Sequence, residues 1–186
     1  PYTLPGYLAG KVGEPCPDVA SEVFREARSA VVQRITALSA LQGTVPVDHF
    51  HRKLGGLLWE HAGIERSAGG LASVLPEIDQ LEASFLKEAG IPGSDKTVNQ
   101  ELEKAIHLQD YLTLSRLMTT DALHREESCG SHFRTESQTA EGEALRDDSR
   151  FQYVAAWEYG GERETPGLHT EPLVFENIQV TDRKYR

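Results

Sequence analysis

Apolar residues recur every three or four positions in four separate stretches of this chain, and this spacing constrains its fold more than any other feature. The stretches cover about residues 18–43, 46–63, 67–89 and 97–126. Such spacing places apolar side chains on one face of an α-helix, so each stretch is predicted to be a helix. For the last helix, the predicted inward residues are Leu102, Ala105, Ile106, Gln109, Leu112, Arg116, Leu117 and Leu123. The polar members of this set predict that a further element covers that side.

The pattern changes after Gly130. The segment "FQYVAAWEY" at 151–159 is rich in aromatic and β-branched residues, which predicts a strand. A Gly-rich loop follows, and "LHTEPLVFENIQV" at 168–180 predicts a second extended segment. The expected fold class is therefore mainly α: an antiparallel bundle of three to four helices followed by a short β-hairpin or extended C-terminal tail.

Three parts of the chain differ in composition. Residues 1–17 are rich in Pro and Gly and are predicted to form an irregular lead-in that lies on another surface. Residues 18–130 carry the helical spacing and form the predicted bundle. Residues 131–186 form a predicted loop and a β or extended tail packed on the bundle. The start has no Met and no features of a signal peptide, which favours a piece cut from a longer protein.

The net charge of −10, from 29 acidic and 19 basic residues, argues against nucleic acid as a partner, because phosphate binding requires a basic surface. It also argues against adhesion to anionic lipid. No apolar run has the length needed to span a bilayer. The two cysteines are too few for a disulfide framework and favour a reducing compartment.

The segment "HREESCGSHFR" at 124–134 is the candidate functional region. Cys129 and His132 have the Cys-x-x-His spacing of a zinc ligand pair, and His124 is near, but no second pair completes a site. The same two residues have the chemistry of a thiolate–imidazole pair, which needs an orienting third group that the sequence does not show. Polar residues at a helix end and a small side chain at a tight turn are the favoured interpretations, so no metal site and no catalytic residue is predicted.

The charge density of this segment has a second interpretation. It follows a long predicted helix and precedes a change of fold, as a docking seam between two domains would. A solvated helix terminus with ordinary caps fits the residues equally well. Neighbouring arginines and carboxylates, such as Arg125 with Glu127, favour an ion-paired network over acid–base catalysis. No Gly-x-Gly-x-x-Gly loop follows a strand, so the chain has no dinucleotide-binding fingerprint of its own.

A family resemblance adds to this reading. The stretch "ALHREESCGSHFR" at 122–134, followed by "RDD" at 146–148, resembles a motif in the C-terminal domain of succinate dehydrogenase and fumarate reductase flavoprotein subunits. L-aspartate oxidase shares a shorter version. The segments "FHRKLGGLLWEHAGIERSAGGL" at 50–71 and "NQELEKAIHLQDYLTLSRLM" at 99–118 are similar to the family's second and longest helices, and the tail is similar to that of one bacterial succinate dehydrogenase subgroup.

The resemblance implies a fragment of a larger enzyme. Such a parent binds FAD, interconverts succinate and fumarate, and passes electrons to an iron–sulfur subunit, a membrane anchor subunit and quinone. The family's flavin and substrate groups belong to a preceding flavin-binding domain, so no catalytic, cofactor-binding or metal residue is carried over to this chain. The implied location is the cytoplasmic side of the bacterial inner membrane, as a peripheral subunit. The fragment itself is expected to pack on the flavin-binding domain and to be inactive alone.

Six residues match the family motif one by one and are predicted to form the interdomain seam. They are Arg125, Glu127, Ser128, Gly130, His132 and Arg134. Cys129 departs from the pattern, which more commonly has Arg there; a thiol cannot replace the planar donor fork of a guanidinium. Two alternatives remain open: the C-terminal domain of L-aspartate oxidase, and a free-standing acidic helical interaction module.

Overall fold

In the computed structural model, which describes residues 3–94, 96–161 and 164–181, six helices and four short strands follow one another. The helices are α1 (Thr3–Lys11), α2 (Glu22–Ser39), α3 (Val47–His61), α4 (Ala68–Glu88), α5 (Gln100–His124) and α6 (Asp148–Phe151). The strands are β1 (Glu65–Arg66), β2 (Phe133–Arg134), β3 (Tyr153–Glu158) and β4 (Gly167–Pro172). The mainly α fold class predicted from the sequence is confirmed.

Helices α3, α4 and α5 each pack against the other two around one apolar core. The rings of Phe50 from α3 and Phe85 from α4 meet edge to face, with their centroids 5.5 Å apart. The spacing of the inward residues on α4 follows the helical period, as the sequence indicates. The fully buried side chains of α4 are Leu71, Val74, Ile78, Leu81 and Phe85. Burial of these large side chains is the main source of stability for the bundle.

The buried face of α5 differs in part from the predicted one. Its buried residues are Leu102, Ala105, Leu108, Leu112, Ser115, Thr119 and Ala122. Gln109 and Arg116 lie beside this face and are covered by neighbouring helices. The Arg34 Nε atom on α2 donates to Gln109 Oε1 over 2.8 Å, and Arg116 donates to Asp79 and Glu82 on α4. The prediction that another element covers the polar side of this helix is therefore confirmed.

Caps and a close backbone contact define where the helices end. The Ser67 hydroxyl accepts from the Gly70 amide at 3.1 Å, and Asn99 Oδ1 accepts from two amides at the start of α5. The sequence predicts that Gly43 ends α2, but that helix already ends at Ser39. Gly43 lies where two backbones meet: its amide donates to Ala89 O at 2.9 Å, and a Cβ at Gly43 would collide with the carbonyl oxygen of Glu88.

The irregular lead-in predicted over residues 1–17 is wrong for much of its length, because Thr3–Lys11 forms α1. A proline in the first turn of a helix costs no hydrogen bond, so Pro5 does not prevent the helix. None of the α1 residues is buried. Residues 1–2 lie outside the described part of the chain. The domain boundaries after residues 17 and 130 stay predictions.

The C-terminal hairpin is confirmed. Strand β3 pairs antiparallel with β4, from Tyr153 opposite Pro172 to Glu158 opposite Gly167. It packs on the end of α5, where Trp157 Nε1 donates to Asp121 Oδ1 over 2.7 Å. Described residues 173–181 follow β4 without strand pairing, and the predicted tail residues 182–186 lie outside the described part. Within the described ranges, no helix is both long and apolar enough to cross a membrane.

Candidate functional site at the end of helix α5

The predicted seam residues come together where α5 ends. Five of the six residues form hydrogen bonds with one another through side-chain or backbone atoms. Arg66 of β1, which is distant in the sequence, bonds to His132. We call this set, Arg66, Arg125, Glu127, Ser128, His132 and Arg134, the helix-end cluster. The two-residue parallel pairing of Glu65 with Phe133 and of Arg66 with Arg134 brings its two halves together.

Arg134 is the buried centre of the helix-end cluster, with only 3% of its surface exposed. Its Nη1 donates to three carbonyl oxygens at the end of α5, those of Ala122 at 3.0 Å, Leu123 at 3.3 Å and Arg125 at 3.2 Å. The last carbonyls of a helix have no partner within the helix, and the helix dipole makes that end negative. The guanidinium therefore supplies both the missing donors and the complementary charge.

Ser128 fixes the backbone that carries Arg134. Its fully buried hydroxyl accepts from the Arg134 amide at 2.8 Å and lies 3.2 Å from the Arg134 carbonyl oxygen, to which it donates. The Ser128 amide in turn donates to Leu145 O at 2.9 Å. A buried hydroxyl is needed here, because it gives both backbone groups of Arg134 a hydrogen-bond partner.

The buried Glu127 forms an ion pair with the half-buried Arg125. Glu127 is 3% exposed; its Oε1 accepts from Arg125 Nη1 and its Oε2 accepts from the Asp147 amide at 2.8 Å. The Arg125 guanidinium also lies over the rings of Phe151 and Tyr153, 5.7 and 5.5 Å from their centroids. The pair thus connects the end of α5 to the "RDD" segment and to the hairpin. Both carboxylate oxygens accept a hydrogen bond from within the domain.

His132 links the two arginines that flank it. Its Nε2 lies 2.8 Å from the carbonyl oxygen of Arg125 and must donate, so Nδ1 is left to accept from Arg66 Nη1 at 2.7 Å. The ring is therefore held neutral. Burial lowers the pKa of His132, and the charges of Arg66, Arg134 and Arg125 lower it further against the effect of the carbonyl bond.

Arg66 is the member of the helix-end cluster that the sequence reasoning missed. It lies in the segment similar to the family's second helix region, but nothing in its spacing relates it to residues 124–134. Burial lowers the pKa of its guanidinium, opposed by the charge of Asp121. Only the tertiary pairing of β1 with β2 reveals the contact.

The outer surface of the cluster is a tight turn. The amides and carbonyls of Cys129 and His132 exchange hydrogen bonds of 2.9 and 3.0 Å, and Gly130 has a φ of +60°. A positive φ at this turn position favours glycine. Cys129 is exposed, so an arginine at that position would also extend from the surface. Across residues 3–94, 96–161 and 164–181, no three His, Cys, Asp or Glu side chains are grouped so as to hold a metal ion.

A cleft of about 920 Å³ lies beside this turn. Its walls come from the last turns of α3, from β1 and from the residues around the turn, including Gly56, Trp59, Ser131 and Thr135. Trp59 is 87% exposed and Ile64, which also lines the cleft, is 77% exposed. The cluster therefore offers a rigid turn and an apolar rim rather than a set of unpaired catalytic groups.

Comparisons with known proteins identify the fold. The fold is that of a helical bundle domain with a C-terminal hairpin, and the same fold occurs in solved quinol fumarate reductases. The E. coli enzyme superimposes with a TM-score of 0.71 at 23% identity, over 88% of this chain and 27% of that chain. A quinol–fumarate reductase containing menaquinol superimposes with a TM-score of 0.72, over 93% of this chain and 29% of that chain.

The chain belongs to the family described as fumarate reductase flavoprotein C-term, which matches residues 51–185. Its relatives include the fumarate reductase flavoprotein subunit of Mycobacterium tuberculosis, 30% identical over 133 residues, which are 71% of this chain and 22% of that protein. An uncharacterized FAD-dependent oxidoreductase of Methanocaldococcus jannaschii is 27% identical over 111 residues, 59% of this chain and 19% of that protein. The chain thus spans about a fifth of the length of these curated relatives.

Proposed function

We propose that this chain is the C-terminal docking domain of a flavoprotein subunit that interconverts succinate and fumarate with FAD. The observation that carries the proposal is the family match across residues 51–185, together with relatives that are named fumarate reductase flavoprotein subunits. The naming of these relatives does not favour the L-aspartate oxidase domain or the free-standing module. FAD and the reacting groups would belong to the flavin-binding portion of the parent chain, outside residues 1–186.

In this proposal, the six motif residues shape the docking surface from within. Within the domain, Arg125 pairs with Glu127, and Arg134 pairs with Glu136 while it donates to the carbonyl oxygens at the end of α5. Such buried pairs specify orientation more than they add affinity. Their role would be to fix the end of α5 and the turn that presents Cys129, Gly130 and Ser131 outward. That turn would then meet the flavin-binding portion.

The wider partners follow from the same relatives. Solved structures with this fold are titled quinol fumarate reductase. We propose that the parent subunit is peripheral, on the cytoplasmic side of a bacterial inner membrane, and passes electrons through an iron–sulfur subunit to a membrane anchor subunit and quinone. The net charge of −10 gives no support to a nucleic-acid partner.

Reconstitution tests the docking function. The flavin-binding portion and this 186-residue chain would be expressed separately, mixed, and followed by FAD absorbance through size exclusion and by succinate-dependent dye reduction. We expect co-elution and a gain in dye reduction. Ser131→Arg, at the exposed turn, should weaken co-elution, whereas Ala140→Arg, at an exposed turn that does not line the cleft, should not. Two portions that elute separately in the unmutated state would contradict the proposal.

A further inference from the structure

Two large apolar side chains stand open to solvent beside the helix-end cluster. Trp59 is 87% exposed and Ile64 is 77% exposed, and both line the cleft beside the Cys129–His132 turn. Tryptophan is rarely this exposed in a folded domain, and it is enriched at the centres of protein interfaces. No described residue covers this rim.

Near Trp59, the exposed surface of α3 has two adjacent positions without a side chain. Gly55 and Gly56 lie in the interior of α3, and a Cβ added to either would meet no atom within 4 Å. Glycine weakens a helix interior relative to alanine. Since the described part of the domain gives neither glycine a steric reason, a partner whose backbone lies against α3 would supply one.

The glycine surface of α3 adjoins the Cys129–His132 turn. Gly56 and Trp59 line the same cleft as Ser131 and Thr135. The floor of that cleft includes Arg66, which bonds to His132. One rigid surface therefore runs from α3 across the cleft to the turn.

We infer that the face formed by Gly55, Gly56, Trp59 and Ile64 is covered by the flavin-binding portion of the same polypeptide. This inference rests on the proposed function and adds the contact residues to it. About four-fifths of each curated relative lies outside its match to this chain, so a large covalently attached partner is available. An attached partner has a high effective concentration, and a small apolar rim is sufficient for it. A separate subunit would need a larger buried area for stable binding.

The test uses the full-length, FAD-loaded parent chain. Gly56→Leu would place a side chain where the partner backbone lies, and Trp59→Ser would remove the apolar anchor without touching the bundle core. We expect each variant to speed both FAD release and protease cleavage between α1 and α2 by about tenfold or more, as overpacking or loss of an anchor does. Ala83→Leu, on the exposed side of α4 facing a different cleft, is the matched control and should behave like the unmutated chain.

Three results would overturn the inference. The first is that both variants release FAD and are cleaved by protease at the same rates as the unmutated chain. The second is a loss confined to binding of the iron–sulfur subunit, which would give the face to that partner. The third is a loss confined to self-association, which would give it to a second copy. Failure of the proposed function looks different: the unmutated full-length chain would then leave the segment between α1 and α2 as open to protease as in this 186-residue chain.

Discussion

The Nη1 atom of Arg134 donates to the carbonyl oxygen of Ala122 over 3.0 Å, so a residue beyond the helix supplies the cap that ends α5. The arginine comes twelve positions after the carbonyl it satisfies. Its placement depends on the pairing of β2 with β1 and on the Ser128 hydroxyl that holds its amide.

Arg134→Ala should destabilise the domain by about 2–4 kcal/mol, because buried carbonyl oxygens lose their donors and a cavity remains. Arg134→Lys should cost less, since it keeps the charge but not the planar fork. Urea unfolding of the 186-residue chain measures both. Arg150→Ala, which removes exposed pairs with Glu126 and Asp147 and a contact with the Phe151 ring, is the control and should shift the midpoint far less. Equal midpoints for Arg134→Ala and Arg150→Ala would refute the capping role.

The Arg125–Glu127 pair predicts energetic coupling. Glu127→Gln should destabilise by about 1–3 kcal/mol, because the half-buried Arg125 guanidinium loses its counter-charge. Arg125→Gln should cost a similar amount. A double-mutant cycle in urea should give a coupling energy of about 1–2 kcal/mol, whereas additive losses would show that the two side chains act independently.

His132 predicts a pH dependence of stability near neutrality. Its folded-state pKa lies below the usual 6.5, so the unfolded chain binds the proton more readily. The stabilising contribution is fully present above pH 6.5 and is lost as the pH falls through the folded-state pKa. Protonation would place an N–H at Nδ1 against the Arg66 guanidinium. Unfolding free energies between pH 7.5 and pH 5 should therefore fall in the native chain.

A His132→Gln variant should remove that part of the slope, and His107→Gln, at an exposed site, should not. Acidic groups titrate in a lower window. For example, Glu126 has a pKa below the usual 4.5, chiefly because Arg150 donates a hydrogen bond to it. Identical slopes for the native chain and His132→Gln would show that the imidazole is not held neutral.

Two glycines should respond to alanine with opposite signs. A Cβ at Gly90 would collide with the carbonyl oxygen of Gly43, so Gly90→Ala should cost about 2–4 kcal/mol as two backbones separate. Gly55→Ala meets no atom and should stabilise the 186-residue chain by about 0.5–1 kcal/mol through helix propensity. Thermal unfolding of both variants checks the signs, and destabilisation by Gly55→Ala would mean that α3 needs that glycine within the domain itself.

The helices were predictable because burial on one face leaves a periodic record in the sequence. The spacing on α3 and α4 located those helices to within one or two residues. It did less well on the inward face of α5, where Leu108, Ser115 and Thr119 are buried although the spacing did not select them. Apolar residues occur on most sides of that helix, so its inward face depends on which neighbours pack against it. The sequence did not predict α1 because proline and glycine usually disfavour a helix, but Pro5 lies in the first turn, where proline is tolerated.

The candidate site was located by its local sequence, but its contacts were not predictable. The resemblance brought residues 125–134 together as a group, and the structure shows that they do interact. The local sequence did not predict where these side chains point. The charged groups face into the domain, where they bond to carbonyl oxygens and to one another. The roles of Arg66 and of the rim around Trp59 became visible only in the tertiary structure. For Arg66 the reason is that the pairing of residues 65–66 with 133–134 is too short to leave a periodic signal in the sequence.

The parallel pairing of β1 with β2 also has a consequence for the order of folding. All of α4 and α5 lies between the paired residues, so the chain must close a long loop before the pairing can form. Contacts within the α3–α4–α5 bundle span shorter loops and are expected to form first. The cluster at the end of α5 would then assemble late, on a bundle that is already folded. A nascent chain would hence acquire the finished helix-end cluster only after residue 134 had been synthesised.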